Sequence, residues 1–187
     1  MTLQDHLKAT RRTWNDQGTV KNVAHLTLGI QSEIGELADQ FKKNIGYNKE
    51  LNVINIKEEL GDMLFFIHRG IDELELPARK IHKKFLEEKK EDIKELDVNN
   101  YPETIAVLSY VTVAFQQAVS ADELDAMCNA LGELLVIIEH IGKHFNLTME
   151  EIAAKNIAKL YVRYPDKFAD DKAMIRDIEA EIKVLSE

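Results

Sequence analysis

The chain has 187 residues, enough for one domain with a real core or for two small helical halves sharing one. A hydrophobic fraction of 45% with 30% charged residues excludes a disordered polymer, and only three prolines and eight glycines argue against a many-stranded sheet. The formal net charge of −9 excludes a nucleic-acid polymer as main partner, because a phosphate backbone demands a basic face; a small phosphorylated ligand held through metal remains open.

Apolar residues recur at helical spacing almost throughout, so the expected fold class is all-α, a helical bundle. The first helix is expected over about 3–16. The second runs from about Asn22 to Asn44, with Leu26, Ile30, Ile34, Leu37 and Phe41 in one stripe. A loop with Gly46 and two asparagines follows. The third helix covers about Val53 to Glu73, with Ile56, Leu60, Leu64, Ile67 and Ile71 on its apolar face. Pro77 opens a fourth helix that ends in the charged run Glu87 to Asp92.

Asn99, Asn100 and Pro102 mark Leu96–Pro102 as the linker between halves 1–97 and 98–187. Helices are expected beyond it at about 103–119, 121–144, 148–163 and 170–186. Thr148 with Glu151 forms a capping box, and Pro165 stops the helix that it opens. The halves are faintly alike. Glu-Leu-Gly-Asp-Met-Leu around Gly61 matches Ala-Leu-Gly-Glu-Leu-Leu around Gly132, and each is followed by a lysine–apolar pair, Lys84-Phe85 and Lys159-Leu160. The expectation is two degenerate four-helix halves forming a single-chain pseudo-dimer.

The N-terminal residues lack the apolar core of a signal peptide, and the runs Met63–Ile67 and Leu134–Ile138 are too short to span a bilayer. The single Cys128 cannot form an internal disulfide. Together these point to a cytoplasmic chain that does not meet a membrane, with Cys128 a small core residue. His140 and His144, four apart, lack the glutamate and third ligand of a zinc site and read as packing or surface residues. Trp14 has the chemistry to stack on a base, but a lone tryptophan in an amphipathic helix is usually core.

The residues that carry chemistry are Glu33, Glu36, Glu59 and Asp62. Each pair is three apart and projects from one side of its helix. Carboxylates beside apolar surface repel one another and lose hydration, a cost that a hard cation with oxygen preference, such as Mg²⁺, offsets. With 33 acidic residues in the chain, solvated faces are the competing reading. Two glycines weigh against it. Gly35 and Gly61 each precede the second acid, at about 1 kcal/mol per helix-interior glycine, which implies close approach of a backbone or a ligand.

These residues resemble the MazG-type members of the all-α nucleoside triphosphate pyrophosphohydrolases. Glu58-Glu59-Leu60-Gly61-Asp62-Met63-Leu64-Phe65 and Gly35-Glu36-Leu37-Ala38-Asp39 are similar to that family's paired-acid motifs, although Ser32 stands where the fuller motif has a further glutamate. Asn156-Ile157-Ala158-Lys159-Leu160, ending in Arg163-Tyr164-Pro165, resembles its closing helix. The likeness covers about two-thirds of the chain. It implies a Mg²⁺-dependent hydrolase (Mn²⁺ also serving) that cleaves a nucleoside triphosphate between its α- and β-phosphates, cleansing the nucleotide pool. Glu33, Glu36, Glu59 and Asp62 would hold metal, with Glu36 or Glu33 as general base.

Asn156, Lys159 and Arg163 would then bind the substrate's phosphates; the alternative is a solvated basic strip near a helix C-terminus. The family often pairs two short chains, so a homodimer is one possible assembly. Here, however, the acids lie in the first half and the better closing helix in the second, with Ala130 where Glu59 stands, which implies one composite site per chain. Other readings are a dUTPase-like specificity, a non-catalytic nucleotide- or metal-binding protein, and a structural helical partner.

Overall fold

The computed structural model describes residues 1–88, 96–169, 172–173 and 177–186. Those residues form an all-α bundle without strands. The helices are α1 (Leu3–Thr10), α2 (Thr19–Tyr47), α3 (Val53–Glu73), α4 (Ala78–His82), α5 (Tyr101–Ser120), α6 (Leu124–His144), α7 (Met149–Arg163) and α8 (Ile178–Ser186). No helix among the described residues is long and apolar enough to cross a membrane.

The two stripes expected on α2 and α3 are buried at every position. Local chemistry sets the ends. The Asn52 side chain accepts from Ile54 N and Asn55 N to open α3, and Asn48 takes a left-handed conformation to close α2. Asn100 caps α5, and the Thr148–Glu151 capping box opens α7 as expected. Elsewhere the bounds shift. The first helix stops at Thr10 and tightens into a 3-10 turn, Arg11–Thr13. The fourth passes at once into a π-helical turn, Lys83–Glu88; the rest of the charged run to Asp92 lies outside the described residues. The last helix is described only from Ile178, not from 170.

The hairpin α2–α3 packs against the hairpin α5–α6, with α2 on α5 and α3 on α6, and this four-helix core is continuous. Each closing segment then crosses to the other half. α7 lies on α3, and α4 with its π turn lies on α6. Both crossings meet at a glycine. A Cβ on Gly61 would stand 3.0 Å from Asn156 Cβ, and one on Gly132 would stand 2.2 Å from Phe85. A lysine accompanies each: Lys159 Nζ donates to Glu58 Oε1 at 3.2 Å, and Lys84 Nζ donates to Asn129 Oδ1 at 2.8 Å. Glu58 and Asn129 each stand three residues before their glycine. α1 and α8 complete the structure, α1 against α3 and α7, α8 against α7 and α3.

Cys128 is partly buried against the core, and His140 donates through Nε2 to the Leu96 carbonyl at 3.0 Å, a packing role.

Candidate functional site

The stripes that bury α2 and α3 against each other also fix where their acids stand. Glu33, one residue before the buried Ile34, and Glu59 and Asp62, which flank Leu60 and Gly61, face one another across the helix pair. One carboxylate oxygen from each of Glu33, Glu59 and Asp62 lies within 4.8 Å of the others. Among the described residues no other such group of histidine, cysteine or acid side chains occurs. Glu36 is different: it is exposed, at the rim of the cluster, and near enough to act on Glu33 and Glu59 electrostatically.

Glu59 is only 6% exposed. Burial, reinforced by Asp62, Glu36 and Glu33, pushes its pKa up to about 9. Glu33 rises to about 8, again through burial first and then through Asp62 and Glu36; Lys159 and a hydrogen bond with Glu59 offset part of this. Without a cation the cluster therefore retains protons at neutral pH. Its donor set of hard oxygens and its suppressed negative charge both fit a divalent metal.

The third side of the site comes from α7. Asn156 donates through Nδ2 to Asp62 Oδ1 at 2.7 Å, and Lys159 donates to Asp62 Oδ2 and to Glu58. Lys159 is 1% exposed. Burial works against its charge, yet Asp62 and Glu58 hold its pKa above the ordinary lysine value. The reading of Lys159 and Arg163 as a solvated strip is thereby corrected: Gly61 lets α7 come close enough to bury the lysine among the acids. Arg163 lies in a fork with Glu181 of α8, at 2.9 and 2.6 Å, and Glu181 is itself 1% exposed. Lys159 and Asn156 are thus brought to the acids, whereas Arg163 is held by another carboxylate.

The acids lie between two cavities. One of about 450 Å³ is walled by Gly35, Glu36, Glu58 and Glu59 with Ile178 and Glu181 of α8. Gly35 has nothing within 4 Å of where a Cβ would be, so it opens on this cavity and does not seat another helix. The other, of about 220 Å³, runs from Glu33 and Asp62 to Trp14, His25, Phe65 and Phe66. Trp14 and His25 stack at 4.8 Å and 16°. The Trp14 Nε1 is buried without a hydrogen-bond partner among the described residues.

Sequence reasoning did not single out Glu58, Glu181, Phe65 with His25, or the three histidines His6, His68 and His82. Glu58 had a local signal in the doubled Glu58-Glu59. The others are joined over separations from 14 residues, His68 to His82, and 18, Arg163 to Glu181, up to 150, His6 to Asn156, none of which is a helical spacing. No protein-family model, curated protein or solved structure matches this chain.

Proposed function

We propose that the chain is a divalent-metal-dependent pyrophosphohydrolase that cleaves nucleoside triphosphates to the monophosphate and pyrophosphate. One observation carries this reading: three carboxylates from two helices converge at the mouth of an aromatic cavity, with a buried amide and ammonium beside them. A flat base would lie against the aromatic wall that Trp14, His25, Phe65 and Phe66 give this cavity. A nucleotide so seated brings its phosphates to Glu33 and Asp62, which line the same cavity.

Glu33, Glu59 and Asp62 would hold Mg²⁺ or Mn²⁺, which when bound neutralises phosphate charge and lowers the barrier to attack by water. Lys159 keeps Asp62 in place and adds positive charge beside the phosphates. Glu36, outside the cluster and open to solvent, is the carboxylate left to take the proton of the attacking water. The water oxygen would bond to the α-phosphorus as that atom's bond to the oxygen bridging to the β-phosphate breaks, and pyrophosphate would leave with the electron pair.

The crossed contacts at Gly61 and Gly132 support the further reading that the chain is a fused pseudo-dimer with one composite site. In the second half Asn129, Ala130 and Glu133 stand where Glu58, Glu59 and Asp62 stand in the first. A second functional reading, binding without turnover, is favoured by the engagement of Arg163 with Glu181, which withholds that arginine from phosphate.

The test is pyrophosphate release from a panel of ribo- and deoxyribonucleoside triphosphates with Mg²⁺, run beside Glu59→Gln. Release that the variant abolishes is the expected result. Thermal stabilisation by Mg²⁺ and nucleotide without product would instead establish a binding protein.

A further inference from the structure

We infer that His82, His68 and His6 form a one-way chain of hydrogen bonds that fixes the Asn156 amide toward Asp62, which makes His6 a positioning residue of the acid cluster. The direction follows from the Asp62 end. The Asp62 carboxylate, which faces the Lys159 ammonium through Oδ2, only accepts, so the Asn156 group 2.7 Å from its Oδ1 is the amide nitrogen. The amide oxygen then points inward, 3.1 Å from His6 Nε2. Because that oxygen accepts, His6 carries its hydrogen on Nε2, and its Nδ1 is a lone pair.

His68 Nδ1 lies 2.7 Å from His6 Nδ1 and must therefore donate. That leaves His68 Nε2 as an acceptor for His82 Nε2, 3.2 Å away. His82 Nδ1 in turn accepts from Gln4 Nε2 at 3.2 Å. Five donors in series thus point toward Asp62, and all six ring nitrogens are satisfied. Reversing one bond alone would set two hydrogens or two lone pairs face to face inside the protein, where neither finds water.

The surroundings enforce neutrality. His6 and His68 are fully buried, and Asn156 is 1% exposed. Burial lowers the pKa of His6 to about 4 and that of His68 well below the usual imidazole value. The chain draws its members from α1, α3, α4 and α7, so it also locks the helices around the site. Its effect at Asp62 is specific. With His6 in place the amide cannot turn its oxygen to the carboxylate, so Asp62 keeps its place beside Glu33 and Glu59.

The tautomers do not depend on the proposed hydrolysis; the consequence for metal rests on the reading of the acids as its ligands. The full-length chain labelled with ¹⁵N-histidine is examined by long-range proton–nitrogen correlation at pH 7.5. The expected result is the less common Nδ1–H tautomer at His68, with Nε2–H at His6 and His82. A charged His68, or one with its hydrogen on Nε2, overturns the chain.

Mn²⁺ titration of wild type, His6→Gln and His6→Phe then tests positioning. Glutamine presents an N–H to the Asn156 oxygen and should hold Mn²⁺ affinity within about twofold, whereas phenylalanine should weaken it about tenfold. Equal affinity in His6→Phe and wild type overturns the positioning role, and should His6→Phe not fold, the His68 tautomer decides. Absence of pyrophosphate release from wild type would refute the proposed hydrolysis while both of these readouts still judged the chain.

Discussion

Gly61 of α3 and Asn156 of α7 touch so closely that a methyl group on the glycine would lie 3.0 Å from the asparagine Cβ. Gly61→Ala must therefore push α7 outward by a few tenths of an ångström, straining the bond from Asn156 to Asp62. Gly35 has open space in the same direction. Alanine in a helix interior is favoured over glycine by about 1 kcal/mol. Gly35→Ala is expected to raise the melting temperature by about 2–4 °C. Gly61→Ala should show no such gain, and its Mn²⁺ affinity should fall. Thermal melts and a titration of both variants check the contrast, and equal stabilisation of the two would refute it.

That pair also marks what the sequence makes legible. Both glycines announce themselves by their place before an acid, and the i, i+3 acids by their spacing, because helical geometry is local. For the same reason α3 is foreseen at its observed bounds and α7 at its capping box. Which surface faces a given glycine is not local. Gly61 meets a helix nearly a hundred residues away, whereas Gly35 meets a cavity. Lys159 reads equally as a phosphate ligand or a solvated charge until α7 is placed, since periodicity identifies an apolar face but not its partner. The bonds from His6 to His68 and Asn156 span 62 and 150 positions and leave no pattern in the chain. The π turn after His82 has no residue signal of its own.

Glu59→Gln separates the metal role of this residue from its cost to the fold. In the folded chain burial raises Glu59 to about 9, against an ordinary 4.5. Between those values the folded protein holds a proton that the unfolded chain has released, so this contribution to stability is present below pH 4.5 and is lost as pH rises toward 9. Glutamine is neutral throughout. In metal-free solution the variant should match wild type near pH 4.5 and exceed it increasingly up to pH 9, by on the order of 1–3 kcal/mol. Melting curves at pH 5, 7 and 9 with chelator measure this. A variant less stable than wild type at pH 9 would mean that Glu59 is ionised and paired in the metal-free protein.

Metal binding should release protons. Glu33 and Glu59, raised to about 8 and about 9, must both ionise to serve as ligands. At pH 7 the loss should be about one to two protons per cation bound, and affinity for Mn²⁺ should climb from pH 6 to pH 9. Calorimetric titrations in buffers of different ionisation enthalpy count the protons. Zero release at pH 7 would place the cation elsewhere.

Arg163 and Glu181 form the tie that holds α8 over the larger cavity, assisted by Lys57 donating to the Leu185 carbonyl at 3.1 Å and Lys155 to that of Val184 at 3.0 Å. Glu181 is 1% exposed, so its charge is out of water, and the fork to Arg163 compensates it. Breaking such a pair from one side costs about 3–5 kcal/mol, because the remaining charge is left buried, whereas removing both sides costs less than the sum. Of the large apolar side chains of α8 only Leu185 is fully buried, Ile178 and Ile182 being exposed, so apolar contact alone holds α8 weakly. Glu181→Ala should therefore release α8 before the core unfolds, speeding tryptic cleavage at Lys183 about a hundredfold or more, in line with that energy. Arg163→Ala should do the same, and the double variant should be cut no faster than either single one. Additive acceleration in the double variant would show that the two residues secure α8 through separate contacts and not through each other.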